Sequence, residues 1–325
     1  MIFSISQRNN FISIALIPIL ILGLWAPYII EPHMIAQYYD KTPMPLYKPL
    51  IDIYNNQPYI GLVLMFGVMS INMVILSSIN SSLRLIEKRS NLFLLLYIIF
   101  SAILPDFQQF NPMQFSLMWI LLGVYSIFKL YKNEYELRSV FEAGFYFSVA
   151  GLFYANAFFL SIIVFIGIIV LVPFNWRQWI SGILGLLMPL VFLFSWAFVT
   201  NKLNFVLPVI EKNTFIWHKT LHIQIIEMGC IALVALLFVA SLFYTFSGVI
   251  KKVAIQKYFL IFFLLFSIVI VTYLTIPSVG VDAFFFLIIP LIFYLSNYLL
   301  NMAIWVVPEF LTTVLLAYVV LLQFV

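Results

Sequence analysis

Residues 258–277 read YFLIFFLLFSIVIVTYLTIP, twenty residues without one charge. At 1.5 Å per residue a helix of that length covers about 30 Å, the thickness of a bilayer's hydrocarbon core. Inside lipid every backbone polar group must be bonded within its own segment, so such a run becomes a helix. Lys251, Lys252 and Lys257 stand just before it, a basic flank that stays in water. Working outward, comparable runs lie near 11–30, 58–79, 92–105, 113–130, 141–155, 157–174, 179–200, 223–248, 283–300 and 308–324. The runs are solid Ile, Leu, Phe and Val, not the alternating short strands of an outer-membrane barrel. The expected fold is all-α: a polytopic transmembrane helical bundle of about 11 spans, with residues 1–325 forming a single integral membrane domain.

Composition agrees. Of 325 residues, 65% are hydrophobic and only 9% charged, where a soluble domain carries about 25%. Mean hydropathy is +1.13. These figures exclude a cytosolic enzyme, a secreted disulfide scaffold, a nucleic-acid-binding module and a disordered chain. The lone Cys230 rules out an intramolecular disulfide and a cysteine-based metal site. The stretch Gln7-Arg8-Asn9-Asn10 followed by an apolar run without a small-residue cleavage site reads as a retained first span.

Lys and Arg set the orientation. With the N-terminus in the cytoplasm, the inner connections hold Arg8, Arg84, Lys88, Arg89, Lys129, Lys132, Arg138, Arg177, Lys251, Lys252 and Lys257. The outer ones hold only Lys41, Lys48, Lys202, Lys212 and Lys219, as the positive-inside rule requires. Seven of the twelve carboxylates then fall outside: Glu31, Asp40, Asp52, Asp106, Glu211, Glu227 and Asp282.

Two outer connections are long, 31–57 and 201–222, and they contain all three histidines. The first is rich in Pro and Tyr, and Tyr47–Tyr54 reads as a short interfacial helix. Glu31, His33 and Asp40 form its candidate site. A carboxylate there can act as base on a hydroxyl, or bind a divalent metal that neutralises a diphosphate leaving group. An ordinary solvated loop explains the same charges. His218 and His222 have the i, i+4 spacing that puts two imidazoles on one helix face, and Glu227 follows. The same pattern suits interfacial histidines at a helix entrance, and no H-E-x-x-H accompanies it.

Within the spans, Asn72 reads as packing glue, and Gly144 and Gly151 as sites of close helix contact. Glu142, beside Arg138, suits a helix N-terminus. Trp176 and Trp179 suit an aromatic belt at the membrane edge. No Asp, Glu, Lys or Arg lies near a span midpoint, which argues against a proton pump, a voltage sensor or a carboxylate-coupled transporter. No Walker motif, GxSxG elbow or internal repeat is present.

Arg89-Ser90-Asn91, Leu104-Pro105, Asn111-Pro112, Phe141-x-Ala143-Gly144, Leu152-Phe153-Tyr154, Arg177-Gln178-Trp179, Gly185 and Pro189 occur in that order. This series resembles a family of uncharacterised polytopic inner-membrane proteins of Bacteroidota, over roughly the first 200 residues. The resemblance implies a multi-pass protein of the bacterial inner (cytoplasmic) membrane and carries no established activity. The layout is also similar, more loosely, to GT-C glycosyltransferases, which use polyprenyl-phosphate sugar donors and acidic residues in a first outer loop. That likeness implies Asp40 as base, Glu31 for metal or acceptor positioning, and a possible divalent metal as cofactor. The acidic pair typical of those enzymes is missing.

The sequence therefore reads first as a non-catalytic component of a cell-envelope assembly. A GT-C-like transferase acting on a polyprenyl-phosphate-linked sugar at the outer face is the alternative. A lipid-like solute transporter or flippase is a further one. The expected partners are membrane lipids, a polyprenyl-phosphate lipid or other envelope proteins, and no nucleic acid.

Overall fold

The computed structural model describes residues 11–31, 42–88, 90–131, 136–215, 225–249, 252–276, 278–302 and 306–322. Among these residues all the regular structure is helical and there is no strand. The first run is α1 (Phe11–Leu24) and α2 (Ala26–Ile30), broken at Trp25. Then come α3 (Lys48–Asn56), α4 (Pro58–Leu83), α5 (Leu92–Ser101), the single turn α6 (Pro105–Gln108) and α7 (Pro112–Phe128). Next are α8 (Leu137–Phe153), α9 (Ile162–Leu171), α10 (Trp176–Val199) and α11 (Leu203–Phe215). The last group is α12 (Ile225–Tyr244), α13 (Val253–Thr275), α14 (Ile288–Leu300) and α15 (Val306–Leu322). Tight 3-10 turns at Ala155–Ser161 and Val281–Leu287 lead into α9 and α14, and a π-helical turn, Thr245–Val249, ends α12.

Four helices are long and apolar enough to cross a membrane: Pro58–Leu83, Trp176–Val199, Val253–Thr275 and the continuous Val281–Leu300. Leu92–Ser101, Pro112–Phe128, Ala155–Leu171, Ile231–Ser247 and Val306–Leu322 are apolar but shorter. Nine of the eleven runs named from the sequence fall on these helices, while 11–30 falls on α1 and α2 and 141–155 on α8.

Helix ends follow local chemistry. Pro58, Pro105 and Pro112 start their helices, where a missing N–H costs nothing. Asn111 caps α7 by accepting from Gln114 N at 2.9 Å, and Asn175 caps α10 by accepting from Arg177 N at 3.1 Å. Arg84 ends α4 in the left-handed region, φ 51°. Arg138 and Glu142 pair at 2.7 Å in the first turns of α8, as an exposed i, i+4 bridge.

The centre is α5, α7 and α14. All ten residues of α5 are buried, a pattern that needs neighbours on every side. Aromatic rings knit the elements together. Phe93 stacks on Phe293 (6.5 Å), Phe293 on Phe262 (4.9 Å), and Phe262 meets Phe128 edge-on (5.1 Å). By contrast, α10 keeps Leu184, Val191, Phe192 and Trp196 exposed, as a lipid-facing helix would. Its other side crosses α8 at glycine. A Cβ on Gly144 would lie 2.5 Å from the Gly182 carbonyl oxygen, and one on Gly185 would collide with that of Phe141.

Asn72 is wholly buried, and its Nδ2 donates to the Tyr97 hydroxyl and to the Gln114 carbonyl, both at 3.2 Å. Tyr97 in turn donates to Gln114 Oε1 at 3.0 Å. This is the cross-helix role expected of Asn72.

One expectation changes. The connection 201–222 contains a 13-residue helix, α11. Pro208 sits inside it, and Val206 and Val209 are buried. Side-chain burial against α10 and against Met44 and Ala155 outweighs the breaker signal.

Candidate acidic site at one end of the bundle

Two short turns, far apart in sequence, meet at the end expected to lie outside. Pro105 opens α6 and puts Asp106 in its first turn. Gly280 precedes the 3-10 turn whose first turn holds Asp282. Phe107 and Phe285 join the turns, packing edge-on at 5.0 Å. The Asp106 and Asp282 carboxylates lie close enough for their charges to act on each other. A Cβ on Gly280 would come 3.2 Å from Asp282 Oδ2, so glycine leaves the space this carboxylate uses.

Tyr28 completes the corner. Its hydroxyl donates to the Pro105 carbonyl at 3.1 Å and lies within reach of Gln109 and Asp106. Tyr54, stacked on Phe110 at 4.7 Å, stands near Tyr28. Protein crowds Asp106 on one side and leaves an edge exposed. The crowding raises its carboxyl above the ordinary carboxylate value, because the charged form loses water. Such a carboxylate accepts a proton more readily than a solvated one.

Hydrogen bonds fasten the surrounding connections. Asn213 of α11 accepts from Thr42 N (3.2 Å) and donates to Thr42 O (2.7 Å). Ser278 Oγ donates to Thr214 O at 2.8 Å, and Asn156 Nδ2 donates to Ser278 O at 3.3 Å. Leu46 N donates to Leu152 O at 3.2 Å, and the Tyr47 hydroxyl to Phe110 O at 3.0 Å. The two long connections expected from sequence are therefore tied to one another at Thr42 and Asn213. The interfacial helix expected over Tyr47–Tyr54 is α3, which buries Ile51 and Tyr54.

Among the residues chosen from sequence, Glu31 closes α2, donating its N–H to Pro27 O at 3.0 Å, and is exposed. It follows Tyr28 by three residues, at the same end. Glu227 lies in α12, with its side chain outside the described residues. Asp40, His33, His218 and His222 also lie outside them. Among the described residues no three of His, Cys, Asp and Glu gather to hold a metal ion.

Asp106 and Asp282 were visible in the sequence only as two of seven outer acids. Each sits at a chain reversal, after Leu104-Pro105 and after Gly280, and that signal marked both turns. No spacing rule could show that the turns meet.

Comparison with family models, with curated proteins and with solved structures finds no match to this chain. The reading of the site rests on its own geometry.

Proposed function

We propose that this is a multi-pass protein of the bacterial inner membrane, with about eleven spans and its N-terminus inside, whose outer end acts on the headgroup of a lipid-linked substrate. Within that reading it is a GT-C-like transferase using a polyprenyl-phosphate-linked sugar. The observation that supports it most is the convergence of Asp106 and Asp282, from separate connections, beside Tyr28 and Gln109. Carboxylates held together at a membrane edge suit proton removal from an acceptor hydroxyl. Tyr28 and Gln109 supply hydrogen-bonding groups for a sugar or phosphate. Glu31, three residues beyond Tyr28, adds a third carboxylate at the same end. Asp40 is the sequence's own candidate for the base.

The lipid-exposed faces of α10 and its neighbours would let a polyprenyl chain approach from the bilayer, so the reactive end need only recognise the headgroup. The test uses the full chain in lipid nanodiscs with radiolabelled polyprenyl-phosphate sugars. Wild type should consume the donor, and Asp106→Asn and Asp282→Asn should each lose that turnover while remaining folded, with a melting temperature no lower than that of wild type. Full turnover in both variants would reject the assignment. Variants that complement a deletion like wild type, together with a stoichiometric envelope partner on mild purification, would return the protein to a non-catalytic role.

A further inference from the structure

At the opposite end of the molecule, the structure points to a lipid seat. We propose that the groove between α1, α4 and α5 holds one acyl chain of an anionic glycerophospholipid, with its phosphate at the Arg84 end. The groove is shallow and open to the surface, offers about 470 Å³ and is lined by Ile17, Ser70, Met73, Ser77, Ser81 and Leu94, among others. From Ser70 to Ser81 it follows α4 for about 16 Å, the depth of one leaflet of a core about 30 Å thick.

Its four serines, Ser70, Ser77, Ser78 and Ser81, are short, which keeps the groove open, and three of them turn their hydroxyls inward to the helix. Ser70 donates to Phe66 O (2.8 Å), Ser78 to Val74 O (2.9 Å) and Ser81 to Ser78 O (3.1 Å). With those protons used locally, the wall suits a hydrocarbon chain.

Cations collect where the groove ends. Arg84 follows Ser81 by three residues and is exposed. The Tyr125 hydroxyl bonds Ser82 at 3.2 Å, and Lys129 Nζ stands 4.5 Å over the Tyr125 ring. Lys88 donates to the Leu300 carbonyl at this end as well. Among the described acidic groups at this end, Glu87 pairs with Lys252 at 2.9 Å, Glu142 pairs with Arg138 at 2.7 Å, and Glu136 accepts from Ser139 Oγ at 2.7 Å. The end is therefore positive, above a groove of leaflet depth. An anionic head with one chain matches both features. A transmembrane helix would fill the groove but leave the basic end unmatched. The inference rests on the spanning reading alone and is independent of the acidic site.

The experiment uses wild-type protein in phosphatidylcholine nanodiscs doped with phosphatidylglycerol bearing a photoactivatable chain. Crosslinks should map to residues 70–81, and unlabelled phosphatidylglycerol should compete where phosphatidylcholine does not. Arg84→Gln should weaken labelling about fivefold, the effect of one basic residue at an anionic surface, and Ser77→Phe should abolish it by filling the groove. The wild-type competition decides the matter even where a variant fails to fold. Labelling spread evenly over lipid-facing helices, equal competition by phosphatidylcholine, or a second copy of the chain crosslinked at 70–81 would each overturn the proposal.

Discussion

Asn213 holds the backbone of Thr42 at two points, accepting from its N–H at 3.2 Å and donating to its carbonyl at 2.7 Å. The side chain is 2% exposed and also reaches Met44 Sδ at 3.3 Å. One amide thus replaces a peptide neighbour and binds the first long connection to α11. Asn213→Ala leaves a partly buried N–H and C=O of Thr42 without their partner, which costs about 1 kcal/mol or somewhat more. The melting temperature should fall, and protease should cut between 31 and 57 sooner. An unchanged digestion pattern would mean that other contacts hold this connection.

The crossing of α8 and α10 depends on missing side chains. Gly144 and Gly185 each bring backbone against backbone, and Ser181 Oγ donates to Leu137 O at 2.8 Å across the same crossing. Adding a methyl group at either glycine forces the helices apart, at about 1–3 kcal/mol. Gly67 is the control, since a Cβ there meets nothing within 4 Å. Thermal unfolding should show Gly144→Ala and Gly185→Ala destabilised and Gly67→Ala at least as stable as wild type.

These two cases show what the sequence could and could not disclose. The runs of Ile, Leu and Phe placed the apolar helices because period and length are local properties. Asn111-Pro112 announced a helix start, Asn72 a polar cross-link and Gly144 a close contact, all from single residue types. The helix Leu203–Phe215 stayed hidden, because Pro208, Glu211 and Lys212 read as a loop while burial of Val206 and Val209 decides otherwise. The meeting of Asp106 with Asp282 stayed hidden too. It is made by Phe107 packing on Phe285, a tertiary contact that no local pattern records.

Tyr97 links the buried polar groups of three helices. Its hydroxyl accepts from Asn72 and donates to Gln114. Tyr97→Phe and Asn72→Ala should each cost about 1 kcal/mol, the usual worth of a hydrogen bond between membrane helices. Because they share one bond, the double variant should lose less than the sum. A double-mutant cycle on unfolding in detergent measures this coupling. Strict additivity would show that the groups act separately.

Asp106 ties stability to pH, and the sign follows from its position. Burial raises its carboxyl value in the folded protein, so the fold favours the protonated form. The stabilisation from that proton is complete below the unfolded value, near about 4, and is lost as pH rises through the folded one. At neutral pH the wild-type protein therefore holds a partly desolvated charge on Asp106, and that charge opposes a second one on Asp282. Asp106→Asn removes that penalty. The variant should match wild type in acid and gain on it in melting temperature as pH rises towards 8. In an Asp282→Asn background the gain should shrink, because the repelling partner is gone. If the Asp106→Asn advantage were the same at every pH, its source would be packing and not the charge.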